Sequence, residues 1–264
     1  MFLLMPLACT PTDEPRPSVV PEAEATTVCY SLEKNEDDAT TELWRIDLAT
    51  AEHDVLSTFE PGFEPWGSHG LQRVGDRFMG FDYYSDLHIF DLSSGIQETD
   101  ERDLDYSVMV SHAGEDLRVV RTEGIDQRLC SYAGPEDLLA GTDQGCVVLE
   151  LLFGTRFTLH EGLLYSTWHS TNEFTTSDAV TGENLGTTDL ENWDTWVWGL
   201  SVADGKLHVV DDGRNSGEYN ILIGLFDLEG GRIDTVGVRN AHWGSEHLGG
   251  LWCREEDPQL DSAP

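Results

Sequence analysis

The stretch GLSVADGKLHVVDDGRNSGEYNILIGLFDLEGGRIDTVGV, residues 199–238, decides the fold. It contains four short blocks that are apolar or alternate between apolar and polar residues: GLSVA, KLHVVD, ILIGLFDL and RIDTVGV. None of them has the period of a helix. Turn residues separate the blocks, including Asp204-Gly205 and Glu229-Gly230-Gly231. Because glycine supplies the positive φ that tight hairpins need, the stretch predicts four antiparallel strands joined in sequence order.

The same unit recurs along the chain with a period near 44 residues. An aromatic residue followed by glycine occurs at residues 66–67, 153–154, 198–199 and 243–244, with intervals of 87, 45 and 45. A turn built on an aspartate occurs at Asp47, Asp91, Asp178 and Asp227, with intervals of 44, 87 and 49. Each interval of 87 is two periods. We interpret these aspartates as turn residues that accept hydrogen bonds from their own backbone.

Repeats of four strands and 40 to 50 residues are typical of β-propeller blades. Complete units begin near residues 67, 110, 154 and 199, while 26–60 supplies three strands and 244–253 supplies one. The sequence therefore predicts an all-β, five-bladed propeller of four-stranded antiparallel blades, in which the C-terminal strand joins the N-terminal blade. A six-bladed propeller and a pair of β-sandwiches are the alternatives.

With these turns, the chain resembles exported bacterial lipoproteins built from quinoprotein-like or YVTN-like propeller repeats. The segment 161–186 (EGLLYSTWHS…DAVTGENLG), followed by GLSVADGKLHVV, also resembles the propeller-type glutamine cyclotransferases. That second resemblance implies a propeller enzyme, but VWGL (197–200) stands where that family has an F-G-E-G element.

Composition excludes several partners. The chain has 264 residues and a net charge of −35, from 50 Asp plus Glu against 15 Lys plus Arg. Nucleic acids and anionic membrane surfaces both attract basic proteins, so neither is an expected partner. The apolar fraction of 39%, with eight tryptophans, is sufficient for a packed core. No apolar run is long enough to predict a membrane-spanning helix.

The N-terminus resembles the end of a lipoprotein signal. Apolar residues 1–7 precede Leu7-Ala8-Cys9, and Cys9 is the expected lipidation site. The alternative is an ordinary thiol in a disordered terminus. We divide the chain into a signal segment (1–9), a tether rich in proline and acid (10–25), the propeller (26–253) and an acidic disordered tail (254–264). The expected location is the outer membrane or cell surface, with the propeller periplasmic or extracellular.

The remaining four cysteines allow three disulfide connectivities. Chain order favours Cys130–Cys146 as a local loop, which leaves Cys29–Cys253 to join the two ends of the propeller. The alternative is four free thiols in a cytosolic protein.

Two residue types are candidates for a binding site at the mouth of the channel. Tryptophans at repeat-equivalent positions could stack on a flat ligand or wedge between blades. Histidines near the same landmarks could offer imidazoles to Zn²⁺. The candidate set is Trp66, His69, His112, Trp198, Trp243 and His247.

Metal binding is a secondary expectation. His69, His112 and His247 form the possible Zn²⁺ set, and Asp211-Asp212 offer oxygen ligands to Ca²⁺. No other cofactor is predicted. We expect a monomeric binding or interaction module of the cell envelope, with a small molecule, a glycan or an envelope protein as its partner. The alternative is an enzyme, cyclotransferase-like or active on glycans as a hydrolase or lyase, with its site at the channel mouth.

Overall fold

The computed structural model describes residues 26–35, 40–59, 70–82, 85–92, 96–100, 107–114, 116–150, 154–168, 170–194, 196–211, 221–238 and 248–256. It contains five four-stranded antiparallel sheets, which are the five blades of a β-propeller. No helix in these ranges is long and apolar enough to cross a membrane.

Blade 1 is assembled from both ends of the chain and closes the ring. Its order is β20-β1-β2-β3, with β1 at Thr26–Asn35, β2 at Thr40–Asp47, β3 at Glu52–Phe59 and β20 at Leu248–Glu256. The predicted closure, three N-terminal strands plus one C-terminal strand, is confirmed. Strand β20 runs to Glu256, three residues past the predicted end of the propeller at residue 253.

Blades 2 and 3 follow in chain order from the centre outward. Blade 2 comprises β4 (Leu71–Val74), β5 (Arg77–Phe81), β6 (Leu87–Asp91) and β7 (Ile96–Asp100). Blade 3 comprises β8 (Ser107–Met109), β9 (Leu117–Glu123), β10 (Asp126–Tyr132) and β11 (Gly145–Leu149).

Blades 4 and 5 have the same arrangement. Blade 4 comprises β12 (Arg156–His160), β13 (Leu163–Thr167), β14 (Glu173–Asp178) and β15 (Asn184–Asp189). Blade 5 comprises β16 (Gly199–Ala203), β17 (Lys206–Asp211), β18 (Ile221–Phe226) and β19 (Arg232–Val238). The four strands predicted from residues 199–238 are therefore confirmed.

The repeated aspartates close the turn between the third and fourth strands. The Oδ1 atom of Asp178 accepts from the backbone N–H of Val180 at 2.8 Å and of Thr181 at 2.7 Å. Asp47 and Asp227 accept equivalent bonds from Ala49 and Glu229 at 2.8 and 2.9 Å. The turn role of these three aspartates is thus confirmed.

Blade 3 departs from the repeat at this turn. Its third and fourth strands are connected through a short helix, α1 (Pro135–Ala140), which has proline in its first turn and ends at Gly141 in the left-handed conformation. The disulfide Cys130–Cys146 joins the two strands that flank this insertion. The cross-link therefore ties the base of a connection that lacks the repeated aspartate.

The core consists of apolar layers between neighbouring blades rather than a single centre. One layer packs blade 5 against blade 1 and includes Cys29, Trp44, Val210, Leu251 and Cys253. The Cys29–Cys253 disulfide lies in this layer, between directly paired residues of β1 and β20. Both predicted disulfides are confirmed. Because disulfides persist in oxidising compartments, they indicate an exported protein.

Candidate functional site

The innermost strands define two faces of the propeller. Ser111 and Thr158 form a parallel bridge between blades 3 and 4, so the chain runs in the same direction through both. We call the face where the chain enters the innermost strands the loop face. We call the opposite face, where the innermost strands of blades 2 to 5 turn back into their own blades and β20 ends, the hairpin face.

The two described residues of the predicted ligand set lie toward different faces. Trp198 directly precedes β16, on the loop face, and packs against the layer between blades 5 and 1. His112 comes one residue after Ser111, whose hydroxyl lies 3.0 Å from that of Ser201 in β16. Ser111 and Ser201 therefore lie at the same height along the axis, with Trp198 before Ser201 and His112 after Ser111 in their chains. The side chains of Trp198 and His112 are thus separated by about four residues, or roughly 13 Å along the strands. Trp66, His69, Trp243 and His247 lie outside the described residues, so their role remains a prediction.

His112 is buried and held by neighbouring groups. The backbone N–H of Gly114 donates to its Nδ1 at 2.7 Å, and its Nε2 lies 2.8 Å from the side-chain nitrogen of Gln72. Burial lowers the pKa of His112, so the ring is neutral near pH 7. Within the described ranges, no three His, Cys, Asp or Glu side chains are grouped to hold a metal ion. The Zn²⁺ set with His69 and His247, and the Ca²⁺ pair of the buried Asp211 with Asp212, extend beyond those ranges and remain predictions.

Small hydroxyl side chains link the innermost strands at the axis. Thr158 Oγ1 donates to the carbonyl of Ser111 at 2.7 Å and accepts from the N–H of Val202 at 3.1 Å. Ser201 Oγ accepts from the N–H of Cys253 at 2.9 Å. Ser111, Thr158 and Ser201 are all fully buried. Sequence reasoning missed this network, although a Ser or Thr in each of these three innermost strands was the available signal.

A cavity of about 500 Å³ opens on the hairpin face. All five blades contribute residues from the ends of their innermost strands or the following turns. The lining residues are Arg73 and Gly75 from blade 2, Ala113 and Gly114 from blade 3, His160 from blade 4, Val202, Ala203 and Asp204 from blade 5, and Trp252, Cys253, Arg254 and Glu255 from blade 1. Since concave sites where several elements converge are the usual ligand sites of proteins, this cavity is the candidate functional site.

Arg73 lines this cavity with its guanidinium over two aromatic rings. Its guanidinium lies 6.0 Å from the ring centre of Tyr30 and 5.8 Å from that of Phe78, and its Nε donates to the Gly75 carbonyl at 2.9 Å. No carboxylate of the described chain lies within ion-pair distance of it, whereas Arg254, on the same cavity, pairs with Glu256 at 2.9 Å. In a chain this acidic, an arginine held on aromatic rings without a carboxylate is placed to receive an anionic group.

Two carboxyl groups, from blades 5 and 1, also line the cavity. A hydrogen bond from the Lys206 ammonium lowers the pKa of Asp204, and a hydrogen bond shared with Glu255 also lowers it and raises the pKa of Glu255. The Lys206 ammonium is 2.6 Å from Asp204. The two carboxyl groups are thus driven apart in acidity, with Asp204 the stronger acid. The cavity therefore presents, on different blades, a carboxyl pair and a guanidinium that no described carboxylate pairs with.

Comparison with known proteins gives the fold alone. No family model matches the chain, and no curated protein matches it. Among solved structures, a chain of a nidogen/laminin complex superposes with a TM-score of 0.51 at 11% identity, covering 86% of this chain and 98% of that one. A Myxococcus xanthus glutaminyl cyclase gives a TM-score of 0.44 at 10% identity, covering 71% of each chain. Citrobacter koseri AztD gives 0.37 at 14% identity, covering 84% of this chain and 58% of that one.

Proposed function

We propose that this protein is an exported binding module whose hairpin-face cavity takes a small zwitterionic molecule, such as an amino acid or a short peptide. The observation that carries the proposal is the five-blade cavity lined by Arg73 of blade 2 and by the Asp204–Glu255 pair of blades 5 and 1. The ligand's carboxylate would face the Arg73 guanidinium, and its ammonium group would face the two acids. Recognition by both charges would be selective, because an ion of one sign satisfies only half of the site.

Rigidity supports a binding role. The cavity's walls are hairpin ends fixed by the sheets, and a disulfide residue, Cys253, lies in its lining. The Trp252 Nε1–H donates to the His112 carbonyl at 2.8 Å, which links blade 1 to blade 3 beside the cavity. A site assembled in advance loses little conformational entropy when a ligand binds.

A thermal-shift screen of amino acids and dipeptides tests the proposal. A compound present at 100 times its Kd adds about 2.7 kcal/mol of stability, which raises the melting temperature measurably. We expect Arg73→Gln to abolish the shift. Arg77→Gln is the matched control, because Arg77 lies on the other strand of the same hairpin and pairs with Asp91 instead. Absence of any shift across the panel, or equal loss in the two variants, would refute the proposal.

We also propose that Cys9 carries the lipid anchor, with residues 10–25 as a tether to the cell envelope. Metabolic labelling of cells with a radioactive fatty acid tests this: the full chain should be labelled and Cys9→Ser should not. Equal labelling of both chains, or of neither, would contradict the anchor.

A second candidate function is catalysis by the Asp204–Glu255 pair. In such a reaction Glu255, whose pKa is raised, would be the proton donor and Asp204, whose pKa is lowered, the acceptor. A cyclotransferase-like activity would release ammonia from peptides with an N-terminal glutamine, and a glycan-active enzyme would release reducing ends. Either activity should be lost in both Asp204→Asn and Glu255→Gln. Binding of a zwitterion without turnover would leave the binding module as the function.

A further inference from the structure

A row of hydroxyl groups crosses blade 4 on the side facing blade 3. Ser166, Thr175 and Thr187 lie side by side on β13, β14 and β15, because Ser166 pairs with Thr175 and Thr175 pairs with Thr187. The Thr175 and Thr187 hydroxyls are 3.2 Å apart. Two residues earlier on β13, Leu164 lies on the same side of the sheet and packs into the apolar layer shared with blade 3. The interface between the two blades therefore changes from apolar to polar along the strands, toward the loop face.

This polar region is a groove of about 490 Å³ between the two blades. The hydroxyl row forms its floor, Asn184 and Glu150 lie at its outer side, and the Glu150 carboxylate lies 3.5 Å from the Asn184 N–H. Glu173 also lines it, and none of the described residues that line it is a Lys, Arg or His. The groove thus offers hydroxyl, amide and carboxylate groups, and it disfavours anionic ligands.

An aromatic ring lies at the rim of this groove. Trp168 lines it and is 37% exposed. The turn that carries Trp168 is closed by Thr171, whose N–H and hydroxyl both contact the Trp168 carbonyl at 3.0 Å. These two hydrogen bonds fix the backbone of the turn from which the indole projects. A tryptophan offers a large apolar face at a low cost in side-chain entropy.

We propose that this groove binds a neutral saccharide. A pyranose ring has apolar C–H faces, which would stack on Trp168, and a rim of hydroxyls, which would exchange hydrogen bonds with the hydroxyl row, Asn184 and the carboxylates. Each protein hydroxyl both donates and accepts, as sugar hydroxyls do. The site is separate from the hairpin-face cavity and does not depend on the function proposed for it.

A glycan array probed with the full chain, followed by calorimetric titration of chitotetraose, cellotetraose and xylotetraose, tests this site. We expect at least one neutral oligosaccharide to bind, and Trp168→Ala to weaken that binding at least ten-fold. Trp196→Ala is the matched control, since Trp196 is 51% exposed yet does not line the groove, and it should bind within two-fold of the unaltered chain.

A second pair of variants tests the hydroxyl row without removing an aromatic ring. Thr175→Val should weaken saccharide binding several-fold, whereas Thr176→Val, on the opposite side of the same strand, should not. No binding on the array, binding restricted to acidic glycans, or equal effects of the Trp168 and Trp196 variants would each overturn the proposal. Loss of amino-acid binding alone would bear only on the hairpin-face cavity.

Discussion

The two disulfides should contribute unequally to stability, because they close loops of very different length. Cys29–Cys253 spans 224 residues and Cys130–Cys146 spans 16. In the loop-entropy treatment, cross-linking removes entropy from the unfolded chain as the logarithm of loop length. This gives about 5 kcal/mol for the ring-closing bridge and about 3 kcal/mol for the local one. The expected difference is therefore about 2 kcal/mol.

Two double variants measure that difference. Cys29→Ala with Cys253→Ala removes the ring-closing bridge, and Cys130→Ala with Cys146→Ala removes the local one. The free energy of unfolding is obtained from urea titrations followed by tryptophan fluorescence, with the unaltered chain as reference. We expect the ring-closing variant to be the less stable of the two. If the local variant loses as much stability as the ring-closing variant, or more, then the disulfides do not stabilise the propeller by reducing the loop entropy of the unfolded chain.

Three further predictions concern a buried histidine, two glycines with positive φ and a buried glutamate. Burial lowers the pKa of His208 to about 4, whereas the unfolded chain has the ordinary histidine value of about 6.5. The free energy of unfolding should therefore be constant above pH 6.5 and fall by about 3 kcal/mol toward pH 4. This pH dependence, measured as the urea midpoint, should flatten in His208→Leu. Gly70 has a φ of +87°, and an added Cβ would lie 1.8 Å from the Met109 carbonyl oxygen, whereas Gly75, at +59°, has open space. Gly75→Ala should therefore cost about 1–2 kcal/mol, and Gly70→Ala more than about 4 kcal/mol, as calorimetric unfolding would measure. Burial alone would raise the pKa of Glu256, but hydrogen bonds from Tyr30, Arg45 and Arg254 lower it to about 2. Glu256→Gln should then cost about 1.5–3 kcal/mol at neutral pH, with the deficit in unfolding free energy vanishing as the pH falls from about 4.5 toward 2.

Local sequence patterns predicted the blades well. Strands β16, β17 and β19 have the same limits as the predicted blocks GLSVA, KLHVVD and RIDTVGV. The repeated aspartates predicted turns for the same reason, since an aspartate binds its own backbone two or three residues ahead. Blade 3 was less predictable, because the helix α1 stands in place of the aspartate turn between its third and fourth strands.

The site was not predictable in the same way. Arg73 lies in RVGDR, which in the sequence looks like an ordinary surface hairpin. Its significance comes from the convergence of four hairpins and the C-terminal strand β20, which are distant in the chain, and from the nearby rings of Tyr30 and Phe78. The Trp168 groove likewise depends on which blade faces which. The repeat gave the positions of equivalent residues but not the face of the propeller on which a cavity opens.

Hydrogen–deuterium exchange tests most directly whether the ligand binds in the hairpin-face cavity, because it distinguishes the two faces of the propeller. The protein would be labelled with and without the amino acid or dipeptide that gives the largest thermal shift. We predict protection at the hairpin turns around residues 73–76, 113–114, 160–162 and 203–205, and along 252–255. Protection confined to the loop face, as at Trp198, would contradict binding in the hairpin-face cavity and place the ligand at the opposite mouth of the channel.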